Sequence, residues 1–225
     1  MENKQSGFII VNKSSGPTSH DIIDRLRKIT GIKKIGHAGT LDPFATGVLI
    51  CALHREATRE ISRFVKLDKE YEATLRLGVI TDTYDRMGIK SLKSKVYKVQ
   101  LKDVKRILNS FIGKQEQIPP MFSAKKVGGQ KLYKLARAGK EIERKPQKIN
   151  IYNIELIRYK WPNLEIKVNC STGVYIRSLG HDIGQALKCG AYLEELKRIA
   201  VGEFRLKDAV DLKKLTQENW KEYLF

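Results

Sequence analysis

The chain has 225 residues and 41% of them are hydrophobic, which is enough for a folded core in one large domain or two small ones. It carries 43 Lys and Arg against 25 Asp and Glu, a net charge of +18 that predicts an anionic partner such as a nucleic acid. Its three cysteines form no Cys-x-x-Cys pair, which argues against a disulfide framework and a zinc site. The start of the chain lacks a signal-peptide core and no apolar run could span a bilayer, so we expect a cytoplasmic protein that does not bind membranes.

The first part of the chain predicts helices among short strands. Residues 8–11 form an apolar run typical of a strand. A helix with an apolar stripe should follow, capped by Thr18 or Ser19 and ended by Gly31. The elements expected next are an apolar run at 48–53, a helix at 57–65 and a strand at 69–77 in which alternate residues share one face.

The second part of the chain opens with an amphipathic helix at 101–111, closed by Gly113. Residues 114–147 are basic and rich in Pro, Gly and Lys, and the stretch 117–129 within them should be an irregular surface segment. After them we expect strands at about 148–159 and 164–170, a helix at about 174–188, and shorter helical pieces. This mixture favours an α+β fold over regular βαβ repeats.

Residues 36–47 read Gly-His-Ala-Gly-Thr-Leu-Asp-Pro-Phe-Ala-Thr-Gly and are the most informative stretch of the chain. They present one carboxylate, Asp42, in a glycine-rich loop, and Pro43 restrains it towards an extended conformation. An acid on a stiffened loop near His37, in a very basic protein, predicts chemistry on a nucleic acid. The alternative is a glycine-rich turn in which the Asp only caps a backbone N–H.

This stretch resembles the nucleophile motif of the bacterial tRNA pseudouridine-55 synthases of the TruB family. The resemblance continues in order along nearly the whole chain, at residues 11–19, 69–73, 77–83, 117–137, 170–179 and 190–204. Departures from the family pattern are Ser14 in place of proline, His54 where glycine is frequent, and Val174 where threonine is common.

The resemblance implies the pseudouridine synthase fold, an α+β fold with a mixed, mainly antiparallel sheet flanked by helices and loops. It implies a catalytic domain at 1–204 with a basic, RNA-gripping insertion at about 114–147. Residues 205–225 would be a short C-terminal remnant, since they leave no room for the PUA-like RNA-binding module that family members commonly carry.

The implied activity is the isomerisation of uridine-55 in the T-loop of tRNA to pseudouridine, after the base has flipped out of its stack. Asp42 would be the nucleophile and Arg177 would keep it ionised. Tyr71 would stack on the uracil and help to remove the carbon-5 proton. The atom that Asp42 attacks, ribose C1′ or uracil C6, stays open. The reaction needs neither a cofactor nor a metal, and we expect a monomer whose partner is the T-arm of tRNA.

Two further groups of residues are expected to bind RNA. The substrate-binding residues would be His37, Tyr71, Tyr175 and Leu196. The residues that contact RNA phosphates would be Lys13, Lys125, Lys126, Lys131 and Arg137. For each of these residues the alternative is an ordinary structural role, as a packed side chain or a solvated charge.

Three other functions are compatible with these motifs. A non-catalytic RNA-binding or tRNA-folding protein would use the same scaffold without changing the base. A glycosylase would share the flipping step but transfer the sugar to water. The closest alternative is a pseudouridine synthase that acts on a different RNA.

Overall fold

The computed structural model describes residues 6–92, 98–123, 125–140 and 142–225, apart from the side chains of Leu92, Lys126, Lys131 and Arg137. In chain order the strands are β1 (Gly7–Lys13), β2 (Ile35–Ala38), β3 (Thr46–Leu53), β4 (Lys69–Leu77), β5 (Val79–Thr81), β6 (Lys90–Leu92), β7 (Gly113–Gln117), β8 (Lys126–Val127), β9 (Gln130–Lys131), β10 (Gln147–Lys160), β11 (Asn163–Cys170), β12 (Ala191–Val201), β13 (Phe204–Arg205) and β14 (Val210–Asp211). The α-helices are α1 (Ser19–Thr30), α2 (His54–Val65), α3 (Leu101–Ser110), α4 (Leu132–Arg137) and α5 (Ile176–Ala186). Short 3-10 helices span Leu206–Asp208, Leu212–Lys214 and Trp220–Tyr223.

The chain divides into two compact units, which we call the terminal unit and the central unit. The terminal unit contains the residues up to Tyr71 together with Lys197–Phe225, and the central unit is Glu72–Leu196. The division falls inside the strands β4 and β12. Two predicted site residues, Tyr71 and Leu196, are therefore the last residues of their segments.

In the terminal unit, β3 is the strand around which the others are arranged. Strand β1 runs antiparallel to it over its full length, from Gly7 opposite Leu53 to Lys13 opposite Gly47. Strand β2 is also antiparallel to β3, whereas β12 is parallel to it and pairs Arg198 with Gly47. Strand β14 lies parallel to β1 on its other side. Both faces of β1 are buried, because Ile9 and Ile10 belong to different hydrophobic clusters.

Helix α1 begins and ends where its sequence predicts. The Thr18 side chain accepts a hydrogen bond from the backbone N–H of Asp21, and the Asp21 carboxylate accepts one from the Thr18 backbone, which completes a capping box. Gly31 closes the helix in the left-handed conformation, at φ 71°. The buried stripe of the helix, Ile22, Ile23 and Leu26, joins the cluster that contains Ile9.

In the central unit the strand order is β4-β11-β10-β7, and the β10–β11 and β10–β7 pairs are antiparallel. Strand β4 alternates as predicted, with Tyr71, Ala73, Leu75 and Leu77 on its buried face. Strands β10 and β11 match the two strands predicted at about 148–159 and 164–170, and they pair with each other as an antiparallel hairpin. Because most strand pairs in both units are antiparallel, the prediction of a mixed, mainly antiparallel α+β fold is confirmed.

Two local predictions are wrong in part. Short helical pieces are predicted after the helix at 174–188, and three short 3-10 helices do follow at 206–223, but residues 191–201 before them form the long strand β12. Arg198 is buried at an inward-facing position of this strand, where strand patterns lead one to expect an apolar residue. The stretch 117–129 is not wholly irregular either, because it contains β8 of a small hairpin with β9.

Gly47 provides a test of how tightly β3 and β12 approach each other. Its φ is +104°, and a Cβ there would lie 2.2 Å from the carbonyl oxygen of Arg198. We therefore expect Gly47→Ala to lower the free energy of unfolding by more than about 4 kcal/mol. The control is Gly31→Ala, because its φ is also positive but no atom lies within 4 Å of the added Cβ. That variant should lose about 1–2 kcal/mol in urea denaturation, and an equal loss in both variants would contradict the expectation.

Candidate active site

The loop that carries Asp42 is held by hydrogen bonds to its backbone on both sides of the carboxylate. The Ser19 hydroxyl accepts a hydrogen bond from the Leu41 N–H (2.9 Å) and lies 3.1 Å from the Leu41 carbonyl oxygen. Beyond Asp42, the Pro43 carbonyl accepts a hydrogen bond from the Gly16 N–H at 2.9 Å. Asp42 itself is half-buried and lies outside helices and strands. The carboxylate is thus presented by a loop that has little freedom to move.

Lys13, at the end of β1, binds the backbone of the same loop. Its ammonium donates to the carbonyl oxygens of Ser14, Pro43 and Ala45, at 3.0, 3.0 and 2.6 Å. Burial lowers the pKa of Lys13 to about 8, although the nearby carboxylate of Asp42 raises it. The side chain is fully buried and its ammonium binds backbone carbonyls, and that Lys13 contacts RNA phosphates stays a prediction.

Arg198 is a second buried cation that sequence reasoning did not assign to the site. Only 2% of the residue is exposed, and its guanidinium donates to the carbonyl oxygens of Val48 (2.8 Å) and Gly39 (2.9 Å). Gly39 and Val48 lie on either side of the Asp42 loop. Arg198 therefore joins the start and the end of that loop. The sequence alone does not show that this arginine is buried, and only the tertiary structure reveals it.

His37 lies on β2, five residues before Asp42, and is half-buried. Its Nδ1 atom is buried and has no hydrogen-bond partner among the described residues. Burial lowers the pKa of His37, and the positive charges of Arg198 and His20 lower it further. The lowered pKa favours the neutral imidazole, in which one ring nitrogen donates and the other accepts.

The two predicted aromatic contacts and the predicted leucine occupy different elements. Tyr71 is 8% exposed, on the buried face of β4, and Leu196 is 7% exposed on β12. Tyr175 is half-buried and immediately precedes α5 as its N-terminal cap residue. These placements are compatible with substrate contacts and equally with packing, so their roles stay predictions.

Arg177, in the first turn of α5, is buried and not an exposed helix residue. Its guanidinium lies 3.3 Å from the carboxylate of Asp85, and both side chains are less than a tenth exposed. It also donates to the carbonyl oxygens of Thr83 (3.1 Å) and Phe122 (2.7 Å). The carboxylate paired with Arg177 in the central unit is therefore Asp85. That Arg177 keeps Asp42 ionised stays a prediction.

Asp85 is a functional candidate that sequence reasoning missed. The other oxygen of its carboxylate accepts hydrogen bonds from the Thr83 hydroxyl (2.7 Å) and the Met87 N–H (2.9 Å). The residue thus organises the turn between β5 and β6 and holds Arg177 at the same time. Its signal in the sequence is weak, since it is one of several acids in a polar loop.

The predicted phosphate contacts of the basic segment are only partly described. Lys125 is half-buried and donates to the side-chain oxygen of Gln147 at 3.0 Å. The side chains of Lys126, Lys131 and Arg137 lie outside the described part of the structure. Lys126 and Lys131 belong to the β8–β9 hairpin and Arg137 ends α4.

The described ranges hold no group of His, Cys, Asp and Glu side chains that is arranged to bind a metal ion. No helix in these ranges has both the length and the apolar character needed to cross a bilayer.

The comparisons with known proteins agree with the motifs around Asp42 and Arg177. The model of the TruB family pseudouridylate synthase N-terminal domain matches residues 27–176, and that of the tRNA pseudouridylate synthase B C-terminal domain matches 177–224. The chain is 46% identical over 219 residues to tRNA pseudouridine synthase B of Clostridium novyi, covering 97% of this chain and 75% of the relative. It is 47% identical over 206 residues to the protein of the same name from Chlamydia trachomatis serovar L2, covering 91% and 84%.

Solved structures show the same relationship. The crystal structure of a Cbf5-Nop10-Gar1 complex contains a chain 30% identical to this one, with a TM-score of 0.75 over 96% of this chain. This chain spans only 56% of that chain. The fold and the motif series define an RNA-modifying isomerase of the pseudouridine synthase type. The chain belongs to the TruB family of pseudouridylate synthases.

Replacing Lys13 with methionine tests two effects of this residue on stability. One is its set of hydrogen bonds to loop carbonyls, and the other is the pH dependence that comes from its lowered pKa. The Lys13→Met variant keeps the side-chain length but leaves buried carbonyl oxygens without their donor, so we expect the free energy of unfolding near neutral pH to fall by about 1–3 kcal/mol. Between pH 8 and 10.5 the unfolded chain holds the lysine proton more tightly than the folded one, so the natural protein gains stability as the pH rises. The Lys13→Met variant lacks this gain. The difference in unfolding free energy between the natural protein and the variant, which we call the gap, should therefore widen as the pH rises.

Urea denaturation near pH 7 and near pH 9.5 measures both effects, with Lys28→Met on the exposed surface of α1 as the control. If the gap between the natural protein and Lys13→Met stays constant or narrows as the pH rises, Lys13 is not a buried ammonium.

Asp85 can be tested with a substitution that preserves its shape. In Asp85→Asn the side-chain oxygen can still accept from Thr83 and Met87, but the negative charge opposite Arg177 is lost. Breaking a buried ion pair in this way should cost about 3–5 kcal/mol of unfolding free energy. The control is Asp82→Asn, because Asp82 is exposed and its amide oxygen would still accept from the Ile89 N–H. Equal unfolding curves for the two variants would contradict the importance of the pair.

Proposed function

We propose that the protein isomerises uridine-55 in the T-loop of tRNA to pseudouridine, as a monomer and in the cytoplasm. The observation that carries this proposal is Asp42, an acid on a loop fixed on both sides by Ser19, Lys13 and Arg198, within the nucleophile motif of the TruB family. The relatives named tRNA pseudouridine synthase B support the choice of substrate.

Asp42 suits a nucleophile because its environment favours the ionised form. A carboxylate must be ionised to attack, and burial alone would oppose ionisation. The Lys13 ammonium beneath the loop supplies a compensating positive charge, since the two groups act on each other electrostatically. The fixed loop also reduces the entropy lost when the carboxylate meets the nucleoside.

The reaction is balanced without an outside reagent. The bond between uracil N1 and ribose C1′ breaks, the base turns, and a bond forms between uracil C5 and C1′. The proton on C5 leaves and N1 gains one, so the product is an isomer of the substrate. Attack of Asp42 on C1′ or on C6 satisfies this balance equally well.

The other residues receive roles that follow from their chemistry. In this proposal Arg177 supplies positive charge to the reacting nucleoside, and Tyr71 stacks on the uracil and assists the loss of the C5 proton. His37, neutral and with an unpartnered Nδ1, contacts the RNA where the base has left its stack. Tyr175 and Leu196 border the base.

Recognition of tRNA rests on charge and shape. The net charge of +18 attracts the phosphate backbone, and the basic segment with Lys125, Lys126, Lys131 and Arg137 is the proposed grip on the T-arm. A catalytic domain at 1–204, with a basic insertion at about 114–147, remains the proposed organisation of this chain.

Release of tritium from tRNA labelled at uracil C5 tests the proposed chemistry. Asp42→Asn preserves the size of the side chain but removes the nucleophile, so we expect no release above background while tRNA binding persists. The control is Asp24→Asn, which removes a partly exposed acid from α1 and should leave the rate unchanged.

The rival functions predict different products in the same assay. A tRNA-folding protein would bind tRNA and release no tritium even with Asp42 intact. A glycosylase would yield free uracil and an abasic site. Mapping of modified positions in total RNA, with and without the gene, distinguishes uridine-55 of tRNA from another target. Full activity of Asp42→Asn would refute the proposed mechanism.

A further inference from the structure

Gln117, the last residue of β7, binds the backbone of Tyr175 with both ends of its side-chain amide. Its oxygen accepts a hydrogen bond from the Tyr175 N–H at 2.8 Å, and its nitrogen donates to the Tyr175 carbonyl at 3.1 Å. The side chain is almost fully buried, since the residue is only 3% exposed. Gln117 therefore binds both the backbone N–H and the backbone C=O of Tyr175, as a residue on a paired strand can do. These two hydrogen bonds fix the position of Tyr175.

This contact stands at the start of the helix that carries Arg177. Tyr175 is the residue before α5, and no side chain caps the helix at that position. One turn further, the Ser178 hydroxyl donates to the carbonyl of Ile118, the residue after Gln117, at 3.0 Å. The first turn of α5 is therefore held against the chain that leaves β7.

The same chain segment also holds the guanidinium of Arg177. Five residues after Gln117, the Phe122 carbonyl accepts a hydrogen bond from Arg177 at 2.7 Å. Besides Asp85 and the Thr83 carbonyl, the orientation of the guanidinium thus depends on the start of α5 and on the segment up to Phe122. Gln117 joins these two pieces of backbone through two hydrogen bonds, and Ser178 adds a third link.

We propose that Gln117 is a positioning residue for Arg177, so that its amide sets where the guanidinium meets the reacting nucleoside. This inference rests on the proposed function, in which Arg177 acts on that nucleoside. In this proposal Gln117 acts on Arg177 through the backbone of Tyr175, which it binds directly. Its loss should therefore slow the chemical step and leave the affinity for tRNA unchanged.

The test uses Gln117→Met, which keeps the length of the side chain but can form neither hydrogen bond. A displacement of the guanidinium by about 1 Å should reduce kcat about 100-fold in the tritium-release assay, with KM for tRNA unchanged. The matched control is Gln115→Met on the same strand, because the side-chain hydrogen bond of Gln115 within the described part of the chain goes to the Phe111 carbonyl. That variant should retain the natural kcat.

A second variant gives a signature that a purely structural residue would not show. In Gln117→Glu the ionised carboxylate can accept from the Tyr175 N–H but cannot donate to its carbonyl. When the carboxyl group is protonated, the donor is restored. Relative to the natural enzyme, kcat of Gln117→Glu should therefore recover as the pH falls from about 8 to about 6, because burial raises the pKa of such a carboxyl group.

The outcomes separate this inference from the proposed function. If the natural protein releases no tritium, both the proposed function and this inference fail. If it is active and Gln117→Met matches Gln115→Met in kcat, only the positioning role is refuted. If Gln117→Met does not fold, Gln117→Glu decides alone: a pH profile parallel to that of the natural enzyme refutes the role, and recovery at lower pH supports it.

Discussion

The structure depends on two buried cations that donate to backbone carbonyl oxygens of one loop. Lys13 and Arg198 are placed where a buried charge would ordinarily be costly, and the carbonyl dipoles of Pro43, Ala45 and Gly39 offset that cost. Because their donors are used on the backbone, the loop is rigid while the Asp42 carboxylate stays half-buried. The hydrogen bonds from Lys13 and Arg198 thus hold the backbone of the loop, while Asp42 supplies its negative charge.

The central unit secures its own charged residue by a related arrangement. The guanidinium of Arg177 is held by the Asp85 carboxylate and by backbone carbonyls of two segments, and Gln117 fixes the helix on which it stands. Few of these contacts use flexible surface side chains. A protein that must displace a stacked base benefits from such preorganisation, because binding energy is then not spent on ordering the enzyme.

Much of the fold could be predicted from the sequence where the signal is local. The cap at Thr18, the alternation in β4 and the loop around Asp42 follow from short patterns, and the structure has each of them. Features that depend on distant residues could not be predicted in this way. The direction of the Lys13 side chain, the pairing of Asp85 with Arg177, and the strand β12 are set by tertiary contacts, and a buried arginine disguises the alternation of β12.

Arg198 is constrained twice, and this limits how the site can evolve. Its backbone lies against Gly47, where even a methyl group would not fit, and its side chain joins both ends of the loop. A substitution of Arg198 therefore removes the link between the two ends of the Asp42 loop, at a strand position whose backbone has no room to shift towards Gly47. Buried positions of β12, such as Arg198 and Ala200, should accordingly tolerate substitution less than an exposed position such as Glu195.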